Sequence, residues 1–208
     1  VDLNLEPDSI ISIKNRSYGA DSEVVSKYAE IFIKAHNRNK IATSIKHFPG
    51  HGNVAKDTHK EFVDATNTFK KEELIPYHNL KKYDKYNMVM VSHIFNSNFD
   101  EKFPASLSKN TIKNCLIDEI GFDGIIVSDD YDMGAIRKNY SLRDIVVNSI
   151  NAGVNLLLFS NNIEGKDKNL PIKIRNIIKK EIELGNIKVE DIDISYKKIV
   201  KLKRRLNY

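Results

Sequence analysis

Four compact apolar runs punctuate the chain: IATSIKH at 41–47, NMVMVSH at 87–93, GIIVSDD at 124–130 and VNLLLFS at 154–160. Each is too short for an ordinary helix and nearly continuous rather than alternating. That is the pattern of strands buried on both faces of a parallel sheet. Val1–Asn4 reads as the tail of an earlier strand. Between the runs the apolar period lengthens toward 3.6. Residues 22–37 place Val25, Tyr28, Ala29, Phe32 and Ile33 on one face, which predicts an amphipathic helix. Further helices are predicted from Ser108, a fitting N-cap, to Gly121, and from Ser141 to Gly153. Two more are predicted over 170–185, with Pro171 in the first turn, and over about 191–206.

Strands alternating with helices imply an α/β fold built on a parallel sheet. A doubly wound, nucleotide-binding sheet would carry a GxGxxG or GxxxxGK fingerprint after a strand, and neither occurs. Polar groups instead end run after run: Lys46 and His47, Ser92 and His93, Ser128 and Asp129, Ser160 and Asn161. In a TIM (β/α)8-type barrel such ends converge on one mouth, where the active site belongs. The barrel is therefore the expected architecture. A complete one takes about 250 residues in eight units, so this chain of 208 residues is expected to lack the first two or three βα units. Residues 1–208 are read as one partial catalytic barrel domain. Because the chain opens at Val1 rather than Met, inside ordered-type sequence, a preceding portion is expected.

Composition changes this picture little. Hydrophobic residues make up 41% and charged residues 29%, as in ordinary globular domains. No run approaches the roughly 18 apolar residues of a membrane span. The net charge of +5 owes much to the terminal KKIVKLKRRL. There the basic residues alternate with Ile199, Val200, Leu202 and Leu206, the wet face of an amphipathic helix, and no nucleic-acid-binding module accompanies them. Cys115 is the single cysteine, which excludes a disulfide framework and a cysteine-based zinc site. It is expected to serve as a small hydrophobe on a helix face.

Two segments carry candidate chemistry. KHFPGHGNVAKDTH, Lys46 to His59, holds three histidines, a lysine and an aspartate where a strand ends. Asp57 and His59 lie two apart, so the carboxylate can favour a protonated imidazole, as a general acid near neutral pH requires. His47, His51, Asp57 and His59 are also zinc-type ligands, although Lys46 beside the first would repel a cation. In the second segment, GFDGIIVSDDYDMGAI, a strand delivers Asp129 to the mouth with Asp130 behind it. Adjacent strand residues point to opposite sides, so one carboxylate enters the pocket. Helix capping is the competing use for Asp129, Asp130 and Asp132.

These two segments resemble the β-N-acetylglucosaminidase branch of bacterial glycoside hydrolase family 3. KHFPGHG with its downstream Asp-Thr-His is similar to that branch's loop, and VSDDYDMGAI to its nucleophile strand. NRSYG at 15–19, FPASLS at 103–108 and NAGVNLLL at 151–158 fit the family's intervening signatures in the same order. The resemblance implies Asp129 as nucleophile and His59 as acid/base with Asp57 as its partner. It implies sugar contacts from Arg16, Lys46 and His47, with His93 and Met133 near the sugar pocket. It further implies retaining hydrolysis of terminal β-linked N-acetylglucosamine, without cofactor or metal, on a carbohydrate substrate of muropeptide type, and a cytoplasmic recycling role. The family's further contacts, an aspartate and an arginine, precede the segment matching Val1. Two other readings remain open on the residues alone, a metal-dependent hydrolase using the histidines and a non-catalytic sugar-binding remnant.

Overall fold

The computed structural model describes residues 1–55, 58, 61–83, 87–161 and 167–207. Three parallel strands, β1 (Thr43–Phe48), β2 (Asn87–Val91) and β3 (Ile125–Ser128), lie side by side in the order β1-β2-β3. Ile45 pairs with Val89 and Val89 with Ile126. These residues are buried on a sheet covered by helices, which explains their unbroken hydrophobicity.

The fourth apolar run lies beside β3, touching it through one parallel bridge between Val127 and Leu156 rather than a regular ladder. Side chains explain the irregularity. The Ile126 N–H donates to Asn155 Oδ1 at 2.9 Å, and the Leu158 N–H donates to Ser128 Oγ at 2.9 Å. Two ladder positions are thus taken by polar side chains instead of carbonyls. Val1–Asn4 forms no strand: the Asn4 N–H reaches Gly19 O, and those of Leu5 and Glu6 reach Gly52 O. Among the described residues no strand covers the outer edge of β1, so the observed sheet is an open three-stranded one and not a closed barrel.

The helices are α1 (Ile10–Ile13), α2 (Ser22–Arg38), α3 (Ile75–Leu80), α4 (Gly134–Arg137), α5 (Leu142–Ala152), α6 (Leu170–Glu183) and α7 (Val189–Arg205). Asp21 caps α2 by accepting from the N–H groups of Glu23 and Val24. Val25, Ala29 and Ile33 of α2 are buried as its period predicts, but Tyr28 and Phe32 stay about half exposed, at 49% and 48%. Those two rings stack on Tyr18 and His36 beside the open edge of β1. The apolar stripe of α2 is therefore wider than the single strand beneath it covers.

Ser108 accepts from the Thr111 N–H at 2.9 Å, as an N-cap should, yet Asn110–Glu119 winds as a π-helix closed by Ile120 N to Cys115 O. Cys115 lies in the main core with Ile112, Leu116 and Ile120, facing Ile45, Phe48, Val89 and Ile126. Burial pushes its thiol up to about 12, which leaves it inert. Ser141 caps α5, and Gly153 closes it in the left-handed region at φ 105°. Arg143 of α5 grips Glu181 of α6 with two bonds of 2.7 Å, fixing the angle between these helices. No described helix is long and apolar enough to cross a membrane.

Candidate active site

The segment leaving β1 is folded around one buried carboxylate. Asp2 is 4% exposed, and three donors converge on it. The His47 N–H and His51 N–H reach Oδ1 at 2.9 and 3.0 Å, and His47 Nδ1 reaches Oδ2 at 2.7 Å. Burial by itself raises the Asp2 carboxyl, but the attraction and hydrogen bond of His47 outweigh it and hold the group well below the usual carboxylate range. The other face of the His47 ring meets Arg16, whose Nη2 lies 3.3 Å from Nε2. A guanidinium can only donate, so Nε2 carries the lone pair and Nδ1–H points to Asp2. Nothing in the sequence singled out Asp2, because its partners lie 45 and 49 residues downstream.

The peptide bonds Lys46–His47 and Phe48–Pro49 are both cis. The following turn is close-packed. A Cβ on Gly52 would fall 1.6 Å from Leu3 O, and one on Gly50 would fall 2.4 Å from Glu73 Oε2, so neither position has room for a side chain. Glu73 is 3% exposed and accepts from the Lys70 N–H at 3.1 Å and from the Gly52 N–H. Burial pushes its carboxyl up to about 7, with Asp2 adding in the same direction and Lys70 opposing. The Tyr77 hydroxyl, within electrostatic reach of Asp2 and Glu73, has no hydrogen-bond partner among the described residues.

A carboxyl whose folded value lies above its unfolded one stabilises the fold fully below the unfolded value, and that contribution is lost as pH rises through the folded one. The window here runs from the ordinary glutamate range up to about 7. Glu73→Gln, neutral at every pH, is expected to leave stability near wild type at pH 5. At pH 8 it should raise stability by on the order of 2 kcal/mol. Urea unfolding at the two pH values checks this, and an equal effect at both would remove burial of the charge as the cause.

At the end of β3 the three aspartates have separate jobs. Asp130 Oδ1 accepts from the N–H groups of Asp132 and Ser160, at 3.0 and 2.9 Å. Asp132 binds Arg137 at 2.7 Å and accepts from the Asn161 N–H. Both tie the β3 turn to the loop after the fourth run. Asp129 is half-buried directly past Ser128, its N–H bonded to Val91 O and its Oδ1 accepting from the Asp130 N–H. None caps α4 by its side chain, since the N-cap residue there is Met133.

Arg16, Lys46 and His47 share a cavity of about 180 Å³ with Asp2, Tyr18 and Phe32. Met133 is buried at the start of α4. His93 is fully enclosed, Nδ1 against Ser106 Oγ at 2.7 Å and Nε2 against the Asp130 carbonyl at 2.9 Å. Asp57 and His59 lie outside the described residues. Among the described residues no cluster of ligating side chains could hold a metal ion. At His47 both ring nitrogens are engaged, one by the Asp2 carboxylate and one by the Arg16 guanidinium.

The Glycosyl hydrolase family 3 N terminal domain profile matches residues 1–202. The beta-hexosaminidase of Photobacterium profundum is 34% identical over 173 residues, covering 79% of this chain and 51% of that protein. The chain thus spans about half the length of the curated relatives it matches. Among solved structures, zinc-bound CbsA from Thermotoga neapolitana superposes with a TM-score of 0.88 at 30% identity, covering 100% of this chain and 44% of that one. The beta-N-acetylglucosaminidase from Thermotoga maritima gives 0.79 at 30% identity, covering 100% and 42%. With the loop after β1 and the aspartate turn after β3 set on a parallel α/β sheet that these proteins share over its full length, the chain belongs to glycoside hydrolase family 3, whose N-terminal domain it matches.

Proposed function

We propose that this domain removes terminal non-reducing β-linked N-acetylglucosamine with retention of configuration. The observation that supports it best is the convergence of two strand ends. Lys46 and His47 stand in β1 and Asp129 directly follows β3, while the buried His51 ring lies within electrostatic reach of both Asp2 and Asp129. Asp129 is the nucleophile, attacking the anomeric carbon to form a glycosyl-enzyme. His59, oriented by Asp57, protonates the leaving oxygen and then activates water. Arg16, Lys46 and His47 hold the sugar hydroxyls. Met133 stands near the sugar, and His93 acts on the sugar through the Asp130 peptide that it braces. No cofactor takes part in this scheme.

The open edge of β1 and the wide apolar stripe of α2 support a larger (β/α)8-type barrel in the parent protein. The substrates proposed are muropeptide-derived glycans, and the setting proposed is cytoplasmic cell-wall recycling. Incubation with a chromogenic β-N-acetylglucosaminide should release the aglycone and, by NMR, the β-anomer of the sugar first, with chelator making no difference. Chelator-sensitive turnover would replace this reading with a metal-dependent hydrolase. Sugar binding without turnover would mark a non-catalytic remnant.

A further inference from the structure

Ser106 is wholly enclosed, and every polar group it owns is engaged. It sits in the short turn Ala105–Leu107. Its N–H donates to Ser92 O at 3.0 Å, just past β2. Its carbonyl accepts from the Tyr131 hydroxyl at 3.1 Å, and its Oγ lies 2.7 Å from His93 Nδ1. The other nitrogen of that ring, Nε2, lies 2.9 Å from the Asp130 carbonyl. Asp130 and Tyr131 are the two residues that follow Asp129. One serine therefore reaches both of them, the first through an imidazole and the second directly. A serine in an ordinary surface turn would bond its own local backbone instead.

The protons in this cluster have fixed places. A carbonyl only accepts, so Nε2 carries the His93 proton. Burial holds the ring below its ordinary range and so neutral. Nδ1 is then an acceptor, and the Ser106 hydroxyl donates to it. The Tyr131 hydroxyl spends its proton on Ser106 O and accepts from Ser149 Oγ of α5 at 2.7 Å. The Tyr131 ring also stacks on His93, with centroids 5.3 Å apart. We propose that Ser106 is a positioning residue that clasps, through His93 and Tyr131, the turn carrying Asp129. Its catalytic consequence rests on the glycosidase reading, while the clasp itself stands on these contacts. The Asp129 N–H is held by Val91 O on the strand side, and the clasp holds the two residues beyond it. A nucleophile displaced by about 1 Å can lose on the order of 10²-fold in rate, so both holds bear on the chemistry.

The test is Ser106→Ala in the full chain. The His93 Nδ1 resonance should move toward that of an unbonded imidazole nitrogen while the Nε2–H signal persists. Amide hydrogen exchange of peptides spanning 129–133 should quicken about fivefold to tenfold, with those of α2 unchanged. On N-acetylglucosaminides kcat/KM should fall roughly 10- to 100-fold, alike for activated and unactivated leaving groups, because both need the nucleophile. Inhibition by free N-acetylglucosamine should stay within about twofold of wild type, since the clasp does not touch the sugar. Tyr131→Phe, which keeps the stacked ring, should quicken the same peptides and leave the Nδ1 resonance in place. An unmoved Nδ1 resonance, or exchange that is unchanged or quickened uniformly along the chain, overturns the clasp. Local quickening with kcat/KM near wild type overturns the positioning role. If wild type hydrolyses no such glycoside, the glycosidase reading fails, and resonance and exchange still decide the clasp.

Discussion

Asp129→Ala is expected to lower hydrolysis of every β-N-acetylglucosaminide by roughly 10⁴-fold or more, whatever the leaving group, because the first covalent bond can no longer form. The loss should be chemical rather than structural. Asp129 is half-buried, and its Oδ1 accepts from the next residue's N–H, a bond between chain neighbours. The ties from Asp130 to the Ser160 N–H and from Asp132 to the Asn161 N–H survive the change. Thermal stability should therefore stay within about 1 kcal/mol of wild type. Removing the carboxylate also leaves room on the α-face of the sugar, so added azide should restore turnover and yield the α-glycosyl azide. His59→Ala should behave differently. It should cost roughly 10²- to 10⁴-fold with a poor leaving group and much less with an activated aryl one. Azide should then intercept the glycosyl-enzyme and give the β-product. The two product configurations, read by NMR, separate nucleophile from acid/base. Identical products from the two variants would undo the pair of roles.

The features that could be read from sequence are those fixed by local periodicity. Continuous apolar runs marked β1, β2 and β3 to within a few residues, because the strand centres at Ile45, Val89 and Ile126 are buried under helices. Caps at Ser141 and Gly153 were legible because a helix end is satisfied by its immediate neighbours. The fourth run fails as a regular strand through Asn155, a polar residue within the apolar run whose amide enters the ladder, and no propensity scale registers such a competition. The π-winding of Asn110–Glu119 is equally silent, since its apolar positions fit an α-helical period well enough. The incomplete (β/α)8-type barrel was an inference from strand ends, and what the structure bears out of it is the parallel α/β sheet, open at β1 among the described residues.

Within the candidate site, Lys46, His47 and Asp129 were legible because strand ends announce themselves. Asp2 and Glu73 were not. Each works through a partner on another element, and each has an ordinary local reading: an acid near the chain start and an acidic residue in the first turn of a helix. A signal did exist for Glu73. Two glycines, Gly50 and Gly52, in a turn that also carries a proline imply a close neighbour, although not its identity.

Asp2→Ala should be the most damaging change to stability in the site. It leaves two backbone N–H groups and the His47 Nδ1–H buried without their acceptor, for a loss of about 3–5 kcal/mol. Asp2→Asn is the more informative variant. Its Oδ1 can still accept from the N–H groups of His47 and His51, so most of the fold survives. Its Nδ2, however, presents a donor to His47 Nδ1, and the imidazole answers by moving its proton to Nε2. That proton then faces the Arg16 guanidinium, 3.3 Å away in the wild type, and two donors cannot share the contact. Arg16 and His47 should separate, and kcat/KM should fall roughly 10- to 100-fold, chiefly through KM if both residues hold the sugar. The pH dependence separates the variants further. The depressed Asp2 carboxyl contributes stability that is present above the ordinary aspartate value and lost as pH falls below it. Asp2→Asn should therefore flatten the acid limb of the unfolding profile below about pH 4 while lying below wild type at pH 7. A variant that keeps wild-type kcat/KM, with its His47 ring shown by NMR to have changed tautomer, would show that the Arg16–His47 contact does not hold the sugar.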